Sequence, residues 1–211
     1  RLTGKATEDL LLSSQLTPFG FRRSQTIIYR PACPTCMACV PVRINLQHFK
    51  PTRNLIKVQK HNSDLQTKLI APQDAEPLFA LFNSYQHARH GQGDMAQMQR
   101  DDFMAMMNEG SENAELLCLQ NSTHTIVAAM LIDRLANGTS AVYSFFDPAF
   151  DKRSLGTELI LRLTQETVRQ QLAYVYLGYW IKDCQKMAYK ARFPALERLG
   201  PDGWESFIPT T

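Results

Sequence analysis

The sequence contains no apolar run approaching the ~20 residues that a membrane-spanning helix needs. No secretory leader is visible: Arg1 to Lys5 include neither an initiator methionine nor an apolar core segment. The chain is therefore expected to continue upstream of Arg1. Cysteine is scarce, with five in 211 residues. Without a leader, that usage points to the reducing cytoplasm and away from a disulfide framework. Net charge is low, +3 at pH 7, and by itself is only weak evidence for a nucleic-acid partner. There is no internal repeat and no low-complexity tract. A membrane partner is not expected.

What is present suits one compact unit or two small ones with a sizeable core. The positive charge is unevenly placed: Arg22, Arg23, Arg30, Arg43, Lys50, Arg53, Lys57 and Lys60 crowd the first third. That crowding is the electrostatic signature of a phosphate-binding surface. The alternative is a solvated basic face balancing acids elsewhere.

Local pattern predicts a helix over Ala6 to Leu16, ended by Pro18 and Gly20. A short β-like run from Thr26 to Tyr29 and a strand from Val40 to Leu46 follow. Pro51 is expected in the first turn of a basic helix reaching His61. A strand over 65–70 precedes a helix from Asp74 to Arg89, whose Leu78, Phe79, Leu81, Phe82 and Tyr85 form a wide apolar face. A further helix spans 101–108, where Met104, Met106 and Met107 read as core filling. Strands at 115–119 and 125–135 then lead to the hairpin turn Asn137-Gly138 and a returning strand over 140–146. A helix over 154–170, a strand over 173–181, a short helix capped by Asp183 and a last strand from Trp204 to Ile208 complete the chain. This order predicts an α+β protein with a mixed, mostly antiparallel sheet and flanking helices. It is the topology of the N-acetyltransferase-like (GNAT) acyltransferases, an analogy of fold and not of function. The expected division is a smaller basic, cysteine-containing region over 1–70 and a GNAT-like catalytic domain over 71–211.

Cys33, Cys36 and Cys39 have C-x-x-C-x-x-C spacing. Such a hook can place thiolates on a soft metal, as a structural zinc or an iron–sulfur centre. A closed site usually needs four ligands, and Cys118, Cys184 and His48 are distant in sequence. The alternative is reduced thiols packed in a proline-rich loop.

The chain is organised around Ser140 to Gly156. Its first part is β-branched and aromatic, which favours a strand, and Asp147-Pro148 ends it. Ser154 offers an N-cap to the next helix. Free amides at that helix start can receive a polar substrate atom, and Gly156 permits close approach to the backbone. A strand, an acid at its end, a basic loop and a glycine-containing helix start suit an acyl-transfer site. An ordinary strand–loop–helix connection is the alternative. The loop Arg89 to Met95 adds a cation, an imidazole at His90 and an acid between glycines; a simple C-cap and turn is its other reading.

The segments 20–24 (Gly-Phe-Arg-Arg-Ser), 29–34 (Tyr-Arg-Pro-Ala-Cys-Pro) and 38–44 (Ala-Cys-Val-Pro-Val-Arg-Ile) together resemble bacterial aminoacyl-tRNA–protein transferases. So do 140–148, 153–157, 176–181 and the run from Cys184 through Lys186-Met187 and Tyr189 to Phe193, continuing to Leu196-Glu197. Within that family the resemblance is to the aspartate/glutamate leucyltransferases, which are related to eukaryotic arginyltransferases. It covers nearly the whole chain. No single motif decides it, but their order and spacing do. It implies transfer of leucine from leucyl-tRNA to the α-amine of proteins beginning with Asp or Glu, which creates a bacterial N-degron. It also implies a cytoplasmic enzyme that requires no cofactor for its chemistry and no acetyl-CoA. The family opens with a cysteine-containing segment that this sequence lacks, so a metal site using that cysteine is incomplete here.

The resemblance and the residues together nominate a site. Asp147 is expected to orient the acceptor ammonium and help remove its proton. Tyr143 and Tyr179 would position the amine or the adenosine, and backbone amides at Ser154, Gly156 and Thr157 would face the carbonyl oxygen. The acceptor's acidic side chain needs a fixed cation, best an arginine. The candidates are Arg22, Arg23, Arg43, Arg89, Arg153 and Arg192, with His90 and Trp180 as further substrate contacts. Arg53, Lys57 and Lys60, together on the basic helix, suit tRNA phosphates. Two other readings stand beside this one for function: an arginyl-tRNA donor, and a non-enzymatic adaptor that binds tRNA or protein N-termini. A conventional acyl-CoA acetyltransferase is disfavoured, because the segment Arg153 to Thr157 is poorer in glycine than the usual pyrophosphate loop.

Overall fold

A computed structural model describes residues 6–91, 93–109 and 112–208. Helix α1 (Ala6–Leu16) runs into a 3-10 turn that ends at Gly20, left-handed at φ 85°. Strands β1 (Arg22–Ser24) and β2 (Ile27–Tyr29) form a separate two-stranded hairpin. Then come β3 (Val40–Asn45), α2 (Arg53–His61) and β4 (Gln66–Ile70). Helices α3 (Phe79–His90) and α4 (Arg100–Asn108) lead to β5 (Ala114–Gln120), β6 (Ile126–Leu135) and β7 (Gly138–Phe146). After α5 (Leu155–Arg169) come β8 (Tyr174–Trp180), β9 (Leu196–Gly200) and β10 (Gly203–Ser206). None of the described helices is long and apolar enough to cross a membrane.

Several local expectations shift for physical reasons. Pro51 lies outside α2, whose N-cap is Thr52, with its hydroxyl accepting from the Leu55 amide at 3.4 Å. The helix expected from Asp74 starts only at Phe79. Pro72 and Pro77 each open a short 3-10 turn instead, since neither can donate the backbone bond a continuing α-helix requires. Ser154 stands at the N-cap position of α5 but is left-handed (φ 54°), and its hydroxyl makes no cap bond. No α-helix forms after Asp183, which is itself left-handed at φ 63°; turns and a 3-10 segment (Ala188–Arg192) take its place. Strand β9 was not legible, because Leu-Glu-Arg-Leu-Gly puts two charges in a five-residue run.

The large sheet has the order β10-β9-β3-β8-β7-β6-β5-β4. β3 lies between β8 and β9, and β4 forms the far edge, so the sheet crosses the boundary expected at residue 70. Apolar side chains cover both faces. On one, α5 brings Leu155, Leu159 and Leu163 onto Val42, Ile44, Leu117 and Leu119, with Leu55 of α2 beside them. On the other, α3 and α4 bring Phe82, Phe103 and Met107 onto Leu116, Leu131 and Phe145. Methionine is core filling here as expected: Met107 is fully buried, and Met104 and Met106 pack against the same cluster.

Only β7 and β8 pair in parallel among the described strands, and they do so over three positions, ending at Ser140 opposite Tyr176. Beyond that point each strand carries a bulge. The β7 register against β6 skips Val142, and the β8 register against β3 skips Leu177. A bulge bends its strand and strengthens its local twist, so two at the same level drive the strands apart. Gly178 completes the bend in β8 with φ 77°. The result is an α+β, GNAT-like sheet whose centre opens into a split.

Candidate active site

The split is a cavity of about 630 Å³. Ala141 to Ser144 and Phe146 of β7 form one wall, and Leu177 to Tyr179 of β8 the other. Ser154, Gly156, Thr157 and Ile160 at the start of α5 close one end. The segment around Tyr189 and Lys190 and the β1–β2 hairpin close the rest.

The hairpin delivers the central cation. Arg22 donates to Ser140 Oγ at 3.0 Å and to the Ala141 carbonyl. It thus occupies backbone and side-chain acceptors that β8 leaves where the strands part. Its guanidinium lies against Gly178, where an added Cβ would approach Cζ and Nε to 3.0 Å. Burial pushes the Arg22 pKa down from its ordinary value, with Asp133 the main opposing charge; an arginine nevertheless stays cationic. Arg23 has a different task from the one expected. It meets Asp133 through two parallel bonds of 2.7 Å in a buried pair, which fastens the hairpin to β6. Its fork is spent on holding Arg22 in place and not on substrate.

A second cation converges on the same space. Lys190 is buried, with its ammonium donating to the Tyr179 carbonyl. Burial, together with the nearby Arg22 charge, pulls its pKa down to about 7. No carboxylate pairs with Arg22 or Lys190 among the described residues. Two cations facing one cavity, neither in a direct ion pair among the described residues, make a receptor for an anionic group, with Asp151 a carboxylate elsewhere on the same wall. Lys190 had no assigned role in the sequence, because nothing local distinguishes a lysine that will be buried.

The aromatic wall is also partly committed. Tyr143 lines the cavity and accepts from the Gln86 amide at 2.5 Å, which leaves its own proton to donate; burial raises its pKa. Tyr179 lines it too, but its hydroxyl donates to the Gly20 carbonyl at 2.7 Å. Burial holds the Tyr179 and Tyr189 phenols up at about 12, so both stay neutral. At the start of α5, the Thr157 amide is spent on the Ser154 carbonyl at 2.9 Å. The Gly156 amide has no partner among the described residues and belongs to a cavity-lining residue. Gly156 is also needed for packing, since a Cβ there would come within 3.2 Å of the Phe146 ring.

The remaining candidates divide clearly. Arg89 and Arg192 line the cavity and are exposed, with Arg89 5.4 Å from the Phe146 ring centre. Arg43 does not reach it: the guanidinium lies 3.6 Å from the Tyr174 ring centre and 4.2 Å from that of Trp204, and bonds Glu197 at 2.7 Å. Arg153 is taken by Asn62 Oδ1, the His61 carbonyl and Asp64. Trp180 packs edge-on to Phe207 and stands outside the cavity. The side chain of His90 lies outside the described residues. Arg53, Lys57 and Lys60 are exposed on α2. Cys33 and Cys36 are exposed and Cys39 is half-buried. Among the described residues, no three or more Cys, His, Asp or Glu side chains gather to hold a metal.

Asp147 is placed outside the cavity wall. Its carboxylate accepts from the Ala149 amide at 2.9 Å and caps the 3-10 turn Pro148–Arg153. Asn caps as well as Asp. Asp147→Asn is therefore expected to change single-turnover transfer by less than about threefold and stability by less than ~0.5 kcal/mol. A loss of about a hundredfold with the fold intact would return this carboxylate to the chemistry.

Comparison with known proteins places the chain in a family. The family model described as "Arginine-tRNA-protein transferase, C terminus" matches residues 78–200, and its N-terminal counterpart matches 4–57. An aspartate/glutamate leucyltransferase of Paramagnetospirillum magneticum is 43% identical over 94% of this chain and 81% of its own length. One from Rhodospirillum rubrum is 42% identical over 98% of this chain and 83% of its own. Among solved structures, L-PGS from Bacillus licheniformis superposes with a TM-score of 0.55 at 14% identity, covering 85% of this chain and 54% of that one. That likeness shows the fold alone. The chain belongs to the arginine-tRNA-protein transferase family and is an aminoacyltransferase.

Proposed function

We propose that the protein transfers leucine from leucyl-tRNA to the α-amine of polypeptides beginning with Asp or Glu. This would take place in the cytoplasm and create a bacterial N-degron. The observation that carries the reading is the pair Arg22 and Lys190, which face the cavity without a carboxylate partner among the described residues. Such a pair favours an acceptor whose first side chain is anionic. The relatives' names, aspartate/glutamate leucyltransferase, support both the donor and the acceptor.

The chemistry asks little of the protein beyond placement. The donor is an ester and already activated, so no further cofactor is required. An α-amine has a pKa near ~8, so an appreciable fraction is unprotonated at neutral pH. That amine attacks the ester carbonyl. The C–O bond to the terminal adenosine breaks, an amide forms, and the released hydroxyl takes up a proton. Arg22 and Lys190 hold the acceptor's carboxylate and thereby aim its amine. The Tyr143 hydroxyl and the Gly156 amide are the donors suited to the carbonyl oxygen as it gains charge. Arg53, Lys57 and Lys60 recur at i, i+4 and i+7, so they form one basic ridge for tRNA phosphates.

The test is a matrix of leucyl- and arginyl-tRNA against peptides beginning with Asp, Glu, Asn, Gln, Arg and Lys. Leucine should move to Asp and Glu peptides alone. Transfer of arginine in its place would move the protein to the arginyl class. Transfer to Arg or Lys peptides would remove the anion-reading role of Arg22 and Lys190.

A further inference from the structure

A second concavity, of about 430 Å³, adjoins the cavity. Thr52, Asn54, Leu55 and Val58 of α2 form one side of it. Ser154, Thr157 and Arg192 form the other, and these three also line the main cavity. The two compartments therefore meet across the start of α5, with Arg192 at the junction.

The walls are braced. Buried Asn62, just past the C-terminus of α2, donates to the Val58 and Arg153 carbonyls at 2.9 Å each, and accepts from Arg153 Nε at 2.9 Å. Arg153 also bonds Asp64 and the His61 carbonyl. The groove is thus a fixed feature of the α2–α5 junction. Its lining mixes the apolar Leu55 and Val58 with short polar groups, which suits the face of a base or a ribose.

We infer that this groove seats the nucleotides preceding the aminoacylated adenosine of the donor tRNA. The inference rests on the leucyl-tRNA reading above. tRNA ends in two cytidines and an adenosine, so an adenosine ester in the cavity must send its 5′ phosphodiester out past a neighbouring wall. Arg192 is exposed and without an ion pair among the described residues, and it stands where the two compartments meet. That position suits the phosphodiester between adenosine and cytidine. On α2, the groove-lining Asn54 and Val58 are flanked by Arg53 and Lys57, one residue earlier on the helix, with Lys60 continuing that ridge. These cations are exposed, so the phosphates of a strand leaving the groove would meet positive charge. An acceptor polypeptide beyond its first residue carries no regular negative charge and has no use for such a ridge.

The test uses two stable amide analogues of the donor: 3′-leucylamido-3′-deoxyadenosine, and the same nucleoside extended at its 5′ side by two cytidines. In the native protein the extension should tighten inhibition of leucyl transfer by about tenfold or more. Asn54→Trp, at an exposed helix position, fills the groove and should bring the ratio of the two inhibition constants close to one. Arg192→Gln should also lower that ratio. An unchanged ratio in both variants, or a ratio of one in the native protein, overturns the inference. So does a rise in KM in Asn54→Trp confined to long acceptors, with Asp dipeptides unaffected, which would give the groove to the acceptor chain. If neither analogue inhibits the native protein, the leucyl-tRNA reading fails and takes this inference with it.

Discussion

Arg22→Leu is expected to lower kcat/KM for peptides beginning with Asp or Glu by about a thousandfold, equivalent to ~4 kcal/mol. Arg22 lies between the parted strands, bonded to Ser140 Oγ and the Ala141 carbonyl, with the Gly178 backbone behind it. Without it, an acceptor carboxylate would lose its buried guanidinium partner and keep Lys190 as the one buried cation among the described residues of the wall, with Arg89 and Arg192 exposed elsewhere on it. Lys190 is a weakened partner, since burial, the larger cause of its lowered pKa, remains when Arg22 is gone. Peptides beginning with Asn or Gln have nearly the same size but no charge, and should lose far less. The preference for Asp over Asn should therefore collapse. Arg22→Lys keeps a charge but loses the fork that spans the two β7 acceptors, and should fall in between. The measurement is kcat/KM for matched Asp and Asn peptides, with thermal unfolding alongside. An equal fall on both peptides would mean that Arg22 only props the split open.

Lys190→Met should have the opposite effect on stability and a comparable effect on selectivity. In the folded protein the Lys190 ammonium is buried, and its pKa stands at about 7 against 10.5 for an ordinary lysine. A depression of that size corresponds to roughly 5 kcal/mol favouring the neutral form. The unfolded chain binds the proton more tightly than the folded one between these two pKa values, so folding is penalised there. The penalty is full at pH 7 and below, and fades as pH rises toward 10.5. Methionine has no such penalty, although it leaves the Tyr179 carbonyl without its donor. Lys190→Met is therefore expected to be more stable by ~2–4 kcal/mol at pH 6–7, with the advantage disappearing near pH 10.5. Its kcat/KM for Asp and Glu peptides should fall by about a hundredfold. In the native protein, kcat/KM for these peptides should also decline above neutral pH relative to peptides beginning with Asn, whose α-amine titrates alike, as Lys190 loses its proton. Lys190→Arg should remove that decline. Denaturant unfolding across pH is the check. Equal stability of Lys190→Met and the native protein at all pH values would show that the native lysine has a counterion or water access that relieves its burial.

The two cations illustrate how unevenly the site was legible. Arg22 stood among six candidate arginines, identical in type, and only their partners separate them. Arg23 is fixed by Asp133, more than a hundred residues away, Arg43 by Glu197 and two aromatic rings, and Arg153 by Asn62 and Asp64. An arginine with a matched carboxylate is structural, whereas one facing a cavity without a carboxylate partner is available to a ligand. Lys190 was invisible, because its defining property is burial, and burial is a sum over neighbours from distant segments. Asp147 reads differently in the sequence and in the structure. An acid between a strand and a helix-forming segment looks catalytic in sequence, yet the same position is where a turn needs its cap.

Local sequence patterns by themselves determined most of the elements and their order. Alternation set the strands, helical periodicity set α3 and α5, and Asn137-Gly138 set the hairpin between β6 and β7. These are short-range effects, decided by residues within a few positions of one another. Only the tertiary structure decided that β3 enters the sheet between β8 and β9, that bulges at Val142 and Leu177 part β7 from β8, and that a hairpin from the N-terminal third fills the gap with Arg22. The β3 pairings and the Arg22–Ser140 bond join segments a hundred or more residues apart, and β7 meets β8 only across an intervening helix, so local pattern carries no term for them. The candidate active site lies at those junctions, so its location could be read from the sequence only in outline, around Ser140 to Gly156, and its charge only from the fold.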